Sequence, residues 1–456
     1  MENSIDFEKF SRYSKPGPRY TSYPTALEFS DEFKYESYLE YLKSNTKPLS
    51  IYVHLPFCRS ACYFCGCNVV FTSKEDKLSR YVEYLKREID LLAEVLDTKK
   101  EVIQFHFGGG TPTYYQAREL DEIMNHIKKR FPNWSNEAEV SVEIDPRFFN
   151  KEQMEVFKKH SFNRVSFGVQ DFDEVVQKEI HRIQPFDLTK RAVELAREYG
   201  VESVNTDLIY GLPYQSLKSF QETLKLATSL NPDRFAIFNY AHVPWLKKTM
   251  RKFDETTLPS PDEKLKILKF TIDYLTSNGY KMIGMDHFAK PEDELFGAIA
   301  KGELHRNFQG YTTKGGATLV GIGLTSIGEG DRYYAQNCKK MSDYERAIDE
   351  GRLPFERGVE LSDDDLIRKF VIMELMANFW VDIKRVESEF KIDFQDYFKD
   401  DLPKLKEFEE ADLVRVSKDK IEVSPTGTML IRNIAMAFDA YMDKYKNSKK
   451  SFSKTV

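Results

Sequence analysis

The fold is decided by residues 51–67, whose sequence is IYVHLPFCRSACYFCGC. Its first part is a short apolar and β-branched run, which is typical of a buried β-strand. Its second part holds four of the chain's five cysteines, Cys58, Cys62, Cys65 and Cys67, in the pattern C-x3-C-x2-C-x-C. The sequence therefore predicts a thiol-rich loop directly after a strand.

Working outward from this stretch, the same strand pattern recurs and alternates with segments of helical period. Candidate strands are 51–55, 102–107, 140–144, 165–169, 204–210 and 235–240, and candidate helices are 75–95, 115–131, 151–160, 187–199 and 216–229. Strand–helix units in succession predict a parallel sheet with right-handed crossovers, either open or curled. Polar and glycine-rich residues follow the strand ends, as at the functional rim of a β/α barrel. We therefore expect a partial parallel (β/α)6 barrel, TIM-like, with its site at the carboxyl ends of the strands.

The rest of the chain divides by composition. Residues 1–47 are predicted to be an irregular arm covering the site, because 16–25 contains three prolines. We assign 48–290 to the barrel, including a helix at 261–278 and a strand at 282–285, and 291–359 to a glycine-rich extension. Within that extension, residues 321–326 resemble a dinucleotide-binding fingerprint but do not match it completely. Residues 360–456 are predicted to form a helical domain, with helices at 362–380, 383–390, 402–411 and 428–445 and a hairpin at 413–416 and 420–423.

Composition limits the classes of function. The 456 residues carry 67 Lys and Arg against 73 Asp and Glu, a net charge of −6, which does not favour nucleic-acid binding. No run approaches the length of a membrane helix, and the charged N-terminal stretch lacks the apolar part of a secretory signal. We expect a monomeric cytoplasmic protein. Four close cysteines in a reducing compartment then suggest a metal or an iron–sulfur cluster rather than disulfides.

The spacing of the cysteines bears on what they bind. A structural zinc usually takes its four cysteines from two separated knuckles, whereas these four share one loop. Three thiolates on one loop can each bind one iron of a cubane and leave the fourth iron open. An open metal position is what catalysis requires.

These features together resemble the radical SAM enzymes. C-x3-C-x2-C follows the first strand, Phe64 precedes the third cysteine, and the next strand ends in a glycine motif at 108–112. The resemblance implies that Cys58, Cys62 and Cys65 hold a [4Fe-4S] cluster and that Cys67 is not a ligand. The open iron would chelate the methionine part of S-adenosyl-L-methionine (SAM), and electron donation would release a 5′-deoxyadenosyl radical.

Longer motifs resemble one family within that superfamily, the oxygen-independent coproporphyrinogen III oxidases. They lie at 16–25, 58–68, 108–114, 143–147, 163–172, 207–213, 239–242, 284–289, 305–313, 335–337 and 431–434, and so extend over nearly the whole chain. The resemblance implies two SAM molecules side by side above the barrel. Residues that would contact the cluster-bound SAM are Tyr52, Phe64, Gly109 and Glu143. Residues that would surround the second are Gly110, Thr111, Gln170, Arg182, Asp207, Ala241 and Ile327. His181, just before Arg182, is a local variation.

The substrate that this resemblance implies is coproporphyrinogen III. Two of its propionates would lose hydrogen and CO2 to become vinyl groups, giving protoporphyrinogen IX in anaerobic haem biosynthesis. The radical performs the central step, so we expect no catalytic acid–base dyad, and the protein orients substrate and excludes water. Candidate partners of the propionates are Arg19, His287, Arg306, Gln309 and Tyr311. An electron donor and an electron acceptor, both unidentified, are also required.

Two other functions are compatible with parts of the sequence. A haem chaperone of the sister radical SAM family would share the cluster motif and the barrel, but those proteins lack the 16–25 arm and the C-G-C-N continuation at 65–68. A zinc-dependent interaction protein would use the C-terminal helices and hairpin as a winged-helix-like module. From Glu360 onward acidic residues outnumber basic ones, which does not favour a DNA-binding surface.

Overall fold

The computed structural model of the protein describes residues 5–445. Its main sheet has twelve strands, numbered here in chain order: β1 Leu49–Leu55, β2 Val102–Gly109, β3 Trp134–Ile144, β4 Arg164–Gln170, β5 Ser203–Tyr210, β6 Arg234–Asn239, β7 Lys281–Met282, β8 His287–Ala289, β9 Thr318–Ile322, β10 Ile327–Glu329, β11 Tyr333–Asn337 and β12 Phe355–Glu360. Their spatial order is β12-β11-β10-β9-β1-β2-β3-β4-β5-β6-β8-β7.

The six predicted strands are neighbours in chain order and all pair in parallel, from β1 to β6. This confirms the predicted parallel α/β core. A seventh parallel strand, β9, pairs with β1 on its other side. The sequence pattern did not predict β9, which a turn joins directly to β10 without a helix.

Amphipathic helices connect the parallel strands and cover the sheet. The helices are Glu75–Val95, Ala117–Arg130, Lys151–Lys159, Glu174–Glu179, Phe186–Glu198, Leu217–Ser229 and Pro261–Ser277. In the first of them, Leu78, Tyr81, Leu85, Ile89 and Leu92 are buried at spacings of three and four, so one face of the helix packs inward. Because the crossovers place every strand in the same direction, the carboxyl ends of β1–β6 meet at one edge.

The N-terminal arm is only partly irregular. It contains the helices Phe7–Tyr13 and Tyr35–Lys43, while 14–34 crosses the molecule without a regular element longer than an isolated bridge. Tyr20 and Tyr23 are buried in this stretch. The Tyr20 hydroxyl donates to Asp439 at 2.8 Å, and the Tyr23 hydroxyl accepts from the Ala440 backbone at 3.1 Å. Two tyrosines therefore anchor the arm to the C-terminal region.

The remaining elements extend the sheet and build the C-terminal region. Two helices, Glu294–Lys301 and Met341–Asp349, and a hairpin of His305–Asn307 with Gly310–Thr312 lie between β8 and β12. The C-terminal helices are Asp363–Asn378, Ile383–Phe390, Phe394–Tyr397, Lys406–Glu410, Pro425–Met429, Ile431–Ala435 and Met442–Tyr445, with a three-stranded sheet of Trp380–Asp382, Val414–Val416 and Lys420–Val423. Within 5–445, no helix has the length and apolar character needed to cross a bilayer.

Two element predictions were wrong. The single helix predicted at 428–445 is broken into short turns, because its buried polar side chains bond to the arm: Asn433 donates to the Lys15 carbonyl and Arg432 to the Pro18 carbonyl, both at 2.9 Å. The strand predicted at 282–285 is instead the short antiparallel pair β7 and β8. The predicted boundaries at 47, 290 and 359 stay predictions.

The anchoring of the arm leads to a first testable prediction. Replacing Tyr20 by Phe removes a hydrogen bond to the buried Asp439 carboxylate, which should destabilise the docked arm by about 1–3 kcal/mol. We expect faster tryptic cleavage after Arg19, with little change in global unfolding. The control is Tyr13→Phe, since the Tyr13 ring packs on Phe408 with centroids 6.0 Å apart and its hydroxyl bonds to no carboxylate in residues 5–445. Equal cleavage of both variants would contradict this anchoring role.

Candidate cluster and cofactor site

The cysteine loop is held at the carboxyl edge of the sheet by backbone hydrogen bonds. Phe57–Cys58 pairs in parallel with Val70–Phe71, which brings the two ends of the loop together. The Gly110 N–H donates to the Leu55 carbonyl at 2.9 Å and the Thr111 N–H to the Phe57 carbonyl at 3.2 Å. The loop after β2 is therefore attached to the loop after β1.

A cavity of about 240 Å³ opens at this edge. Eleven of the fourteen residues predicted for the cluster and SAM line it: Cys58, Cys62, Phe64, Cys65, Gly109, Gly110, Thr111, Glu143, Gln170, Arg182 and Asp207. Three predicted residues are not among its lining residues. The Tyr52 hydroxyl contacts His54 Nδ1 at 3.0 Å, Ala241 follows β6, and Ile327 begins β10 beside β9.

The three thiols fit an iron–sulfur cluster. They open into one cavity, and Gly110 lets its backbone approach them closely, because a Cβ there would lie 2.6 Å from the Pro56 carbonyl oxygen and 3.0 Å from Cys58 Sγ. In the described part of the chain, no three His, Cys, Asp or Glu side chains converge as a site for a single metal ion. A cubane takes one thiolate at each iron, so its ligands need not converge on a point.

The thiols differ in their electrostatic surroundings. Burial raises the pKa of Cys58 to about 12, although a contact with the Thr111 hydroxyl at 3.2 Å opposes this shift. A hydrogen bond from the Cys67 thiol lowers the pKa of Cys65 to about 6, and the Cys67 N–H, 3.4 Å from Cys65 Sγ, adds to this effect. Cys67 thus supports the thiolate of Cys65 without having to be a ligand.

Two arginines reach the second cysteine. Arg147 and Arg182 place guanidinium nitrogens 3.6 and 3.7 Å from Cys62 Sγ. Both also pair with the buried Asp145, at 2.7 and 2.9 Å. These charges hold the pKa of Asp145 below its ordinary value despite its burial. Neither Asp145 nor Arg147 was predicted as a site residue, although both lie just after a strand, where the other site residues lie.

His181, the local variation beside Arg182, contacts the cysteine loop. Its ring stacks on Tyr63 with centroids 5.0 Å apart, and its Nδ1 lies 2.8 Å from the Ala61 carbonyl oxygen. His181 therefore supports the cysteine loop through Tyr63 and Ala61.

Asp207 is a half-buried carboxylate that lines both this cavity and a second one. Ser166 and Asn205 donate to it at 2.9 and 2.6 Å, yet burial raises its pKa to about 7, and the nearby Glu143 adds to this effect. The second cavity, of about 250 Å³, lies inside the barrel and shares Glu143, Ser166, Asp207 and Phe238 with the first.

The five predicted substrate residues gather at this second cavity. His287, Gln309 and Tyr311 line it. The Arg19 guanidinium lies 5.5 Å from the centre of the Phe238 ring on the shared wall, and the Arg306 guanidinium lies 4.7 Å from that of Tyr311. Arm, barrel and extension each contribute to this group.

Comparison with known proteins agrees with this geometry. Residues 52–227 match the radical SAM superfamily and residues 361–430 match the HemN C-terminal domain. The chain is thus a radical SAM enzyme, as its parallel sheet and cysteine loop indicate.

Its relatives define the family more narrowly. The oxygen-independent coproporphyrinogen III oxidase of Helicobacter pylori strain J99 is 56% identical, with 99% of this chain and 100% of that protein covered. The protein of the same name from Escherichia coli K12 is 43% identical, with 99% and 98% covered. A solved structure of the Escherichia coli coproporphyrinogen III oxidase superposes with a TM-score of 0.92 at 42% identity, covering 97% of this chain and 100% of that one. This chain therefore belongs to the oxygen-independent coproporphyrinogen III oxidase family.

The close approach of Gly110 to the cysteine loop supplies a second prediction. In Gly110→Ala the new Cβ would collide with the Pro56 backbone and Cys58 Sγ, so the loop must move. We expect most of the iron to be lost after anaerobic reconstitution, measured as iron and sulfide per chain. Gly66→Ala in the same loop is the control, because its Cβ would have no neighbour within 4 Å. Equal iron in the two variants would contradict this account.

Proposed function

We propose that this chain converts two propionate side chains of coproporphyrinogen III to vinyl groups by oxidative decarboxylation, giving protoporphyrinogen IX. The main support is a set of buried polar groups without partners beside the second cavity. Within residues 5–445, Arg306 Nε and Nη1 and both amide atoms of Gln309 form no hydrogen bond. Buried donors of this kind are costly unless a ligand satisfies them. A propionate carboxylate is a suitable acceptor for a guanidinium.

The charges around these groups also favour an anion. Asp286 contacts Arg19 at 2.5 Å and His287 at 2.6 Å, and His287, Arg19 and Arg306 together hold its pKa far below the ordinary value. Arg432 lies close enough to Arg19 and Asp286 for both of their charges to act on its guanidinium. Three arginines thus face one carboxylate, which leaves net positive charge for substrate carboxylates to neutralise.

The cofactors follow from the first cavity. Cys58, Cys62 and Cys65 would hold a [4Fe-4S] cluster, and the cluster with SAM would supply the radical that takes hydrogen from a propionate. Phe64, Gly109 and Glu143 would bind the cluster-bound SAM, together with Tyr52 at the cavity edge. The Gly109 N–H lies 3.3 Å from Glu143 Oε2, so Glu143 is held where it can accept from an amine.

We further propose a second SAM beside the first. Five of its seven predicted contacts line the same cavity, namely Gly110, Thr111, Gln170, Arg182 and Asp207. Ala241 and Ile327 are not among the residues that line this cavity. The Arg182 guanidinium is already shared by Asp145 and the Gly168 carbonyl, at 2.9 and 2.6 Å, so its position is determined before a ligand binds.

The arm would close the site over the substrate. Arg19 has 41% of its side chain exposed and connects the arm to Asp286. A substrate carboxylate could replace Asp286 as the partner of Arg19, which would order 16–25 over the cavity and exclude water. A monomeric state and a cytoplasmic location both stay predictions.

The reaction itself is the third prediction. Anaerobic incubation with coproporphyrinogen III, SAM and a reductant should give protoporphyrin after oxidation, measured by fluorescence. Cys62→Ser should lose both cluster and product. Cys67→Ser should keep its iron, since serine can still donate to Cys65. Iron loss in Cys67→Ser would overturn the ligand assignment, and stoichiometric haem binding without product would favour the chaperone function.

The raised pKa of Asp207 gives the fourth prediction. Below pH 7 this carboxylate is mostly protonated and cannot attract the cationic SAM, whereas above pH 7 it is ionised. Affinity for the second SAM should therefore rise about tenfold between pH 6 and pH 8, with proton release on binding at the lower pH. Titration calorimetry in two buffers measures both effects.

Asp207→Asn should remove this pH dependence and weaken the second SAM. Asp171→Asn is the matched control: the pKa of Asp171 is raised to about 6 by burial, but its carboxylate bonds to Thr223 and Gln215 outside the cavity. A second SAM bound equally at pH 6 and pH 8 in the unmodified protein would contradict the role of Asp207.

A further inference from the structure

Exposed apolar side chains are concentrated around the cysteine loop. Phe71 is paired with Cys58 in the short sheet, and Ile183 follows Arg182 directly. Trp245 and Leu246 are 60% and 69% exposed, close to the start of the loop that follows β6. Large apolar side chains exposed together at one edge often mark an interaction site.

Cations lie in the same segment as Trp245 and Leu246. Residues 241–255 contain Lys247, Lys248, Arg251 and Lys252 against two acidic residues, Asp254 and Glu255, so this segment is net positive in a chain whose net charge is −6. Within residues 5–445, Lys248, Arg251 and Lys252 form no ion pair with a carboxylate, and all three are exposed. Their charge is therefore available to a partner with an acidic surface.

This surface is joined firmly to the cysteine loop. Lys247 Nζ donates to the Cys67 carbonyl at 2.9 Å. Beneath the surface, Met250 and Phe253 belong to a small apolar core against which Tyr63 and Phe64 of the cysteine loop pack. A protein bound here would lie next to the loop that carries the thiols.

We propose that an acidic one-electron carrier protein docks on this surface, which we call the Trp245 surface and define as Phe71, Ile183, Trp245, Leu246, Lys248, Arg251 and Lys252. The carrier would lose one electron and the cluster would gain it, with no atom transferred. This inference rests on the proposed function, because only a cluster that cleaves SAM reductively needs such a supply. A surface that combines exposed apolar side chains with charged ones suits a transient protein interface.

A protein partner fits better than a lipid surface. Amphipathic helices that lie in a membrane interface present a long apolar face beside a charged one. Here the cations lie on Lys248–Lys252, a single short turn, and the apolar residues come from three separate segments.

The test measures reduction of the reconstituted cluster by stopped-flow absorbance. The probe is photoreduced flavodoxin, an acidic flavoprotein, and dithionite serves as the small reductant. The triple variant Lys248→Glu, Arg251→Glu, Lys252→Glu should slow reduction by flavodoxin about tenfold or more at low salt, with a smaller effect at high salt. Its iron content and its reduction by dithionite should stay unchanged.

Two further variants separate charge, contact and folding. Lys99→Glu, Lys129→Glu, Lys158→Glu has the same net charge, but its exposed lysines lie at the opposite, amino edge of the parallel strands, so flavodoxin should still reduce it normally. Trp245→Ala should slow reduction by flavodoxin at both salt concentrations. Equal slowing of both triple variants, or no slowing of either surface variant, would overturn the proposal.

Vesicles containing phosphatidylserine test the lipid alternative. The unmodified protein would bind these vesicles if the surface served a membrane. If the surface triple variant loses this vesicle binding while flavodoxin still reduces it normally, the surface belongs to membranes and the proposal is overturned. Because the readout is cluster reduction, it does not depend on porphyrinogen turnover. A protein whose cluster is reduced normally by flavodoxin but that does not convert coproporphyrinogen III would refute the proposed substrate and leave the docking proposal intact.

Discussion

The arrangement of the site depends on one buried carboxylate, Asp145. It follows β3 directly, is 6% exposed, and accepts from Arg147 and Arg182. A buried charge is tolerated only when it is paired, and here each partner needs the other, because removing the carboxylate would leave two guanidiniums unpaired. Both arginines also reach Cys62, so one ion-pair network connects β3, the segment after β4 and the cysteine loop. Positive charge near a thiolate ligand also favours the thiolate.

The inside of the barrel is polar, which is unusual for a β/α barrel whose interior is normally packed with branched apolar residues. Its inward positions include His106 on β2, Ser141 on β3 and Asn205 on β5, and they leave a cavity in place of a core. Burial of the outer face of the sheet against the helices supplies the apolar stabilisation instead. The barrel thus encloses a polar cavity that adjoins the cysteine cavity, which suits a substrate with several carboxylates.

Sequence periodicity predicted the repeating part of the fold well and the rest poorly. The helices at 75–95 and 383–390 have the observed bounds, and the strand at 204–210 ends at the observed residue. These elements carry their own pattern of burial. The strand β9 and the breaks in the helical segment after Met429 carry no such pattern. β9 exists because it pairs with β1, and the breaks exist because side chains of this segment contact the arm. Such contacts join residues hundreds of positions apart and leave no local pattern.

The sequence by itself determined the chemistry of the site: three closely spaced thiols after a strand, glycines at the next strand end, and Glu143 and Asp207 at later ones. These are local facts of residue type and spacing, and the parallel crossovers bring them to one edge in any right-handed β/α series. Only the tertiary structure decided that Arg19, Asp286, Arg306 and Arg432 form one group, because they come from the arm, the barrel, the extension and the C-terminal region. Only it revealed Arg147 beside Cys62 and the exposure of Trp245, since contact and exposure in space depend on which distant segments pack together.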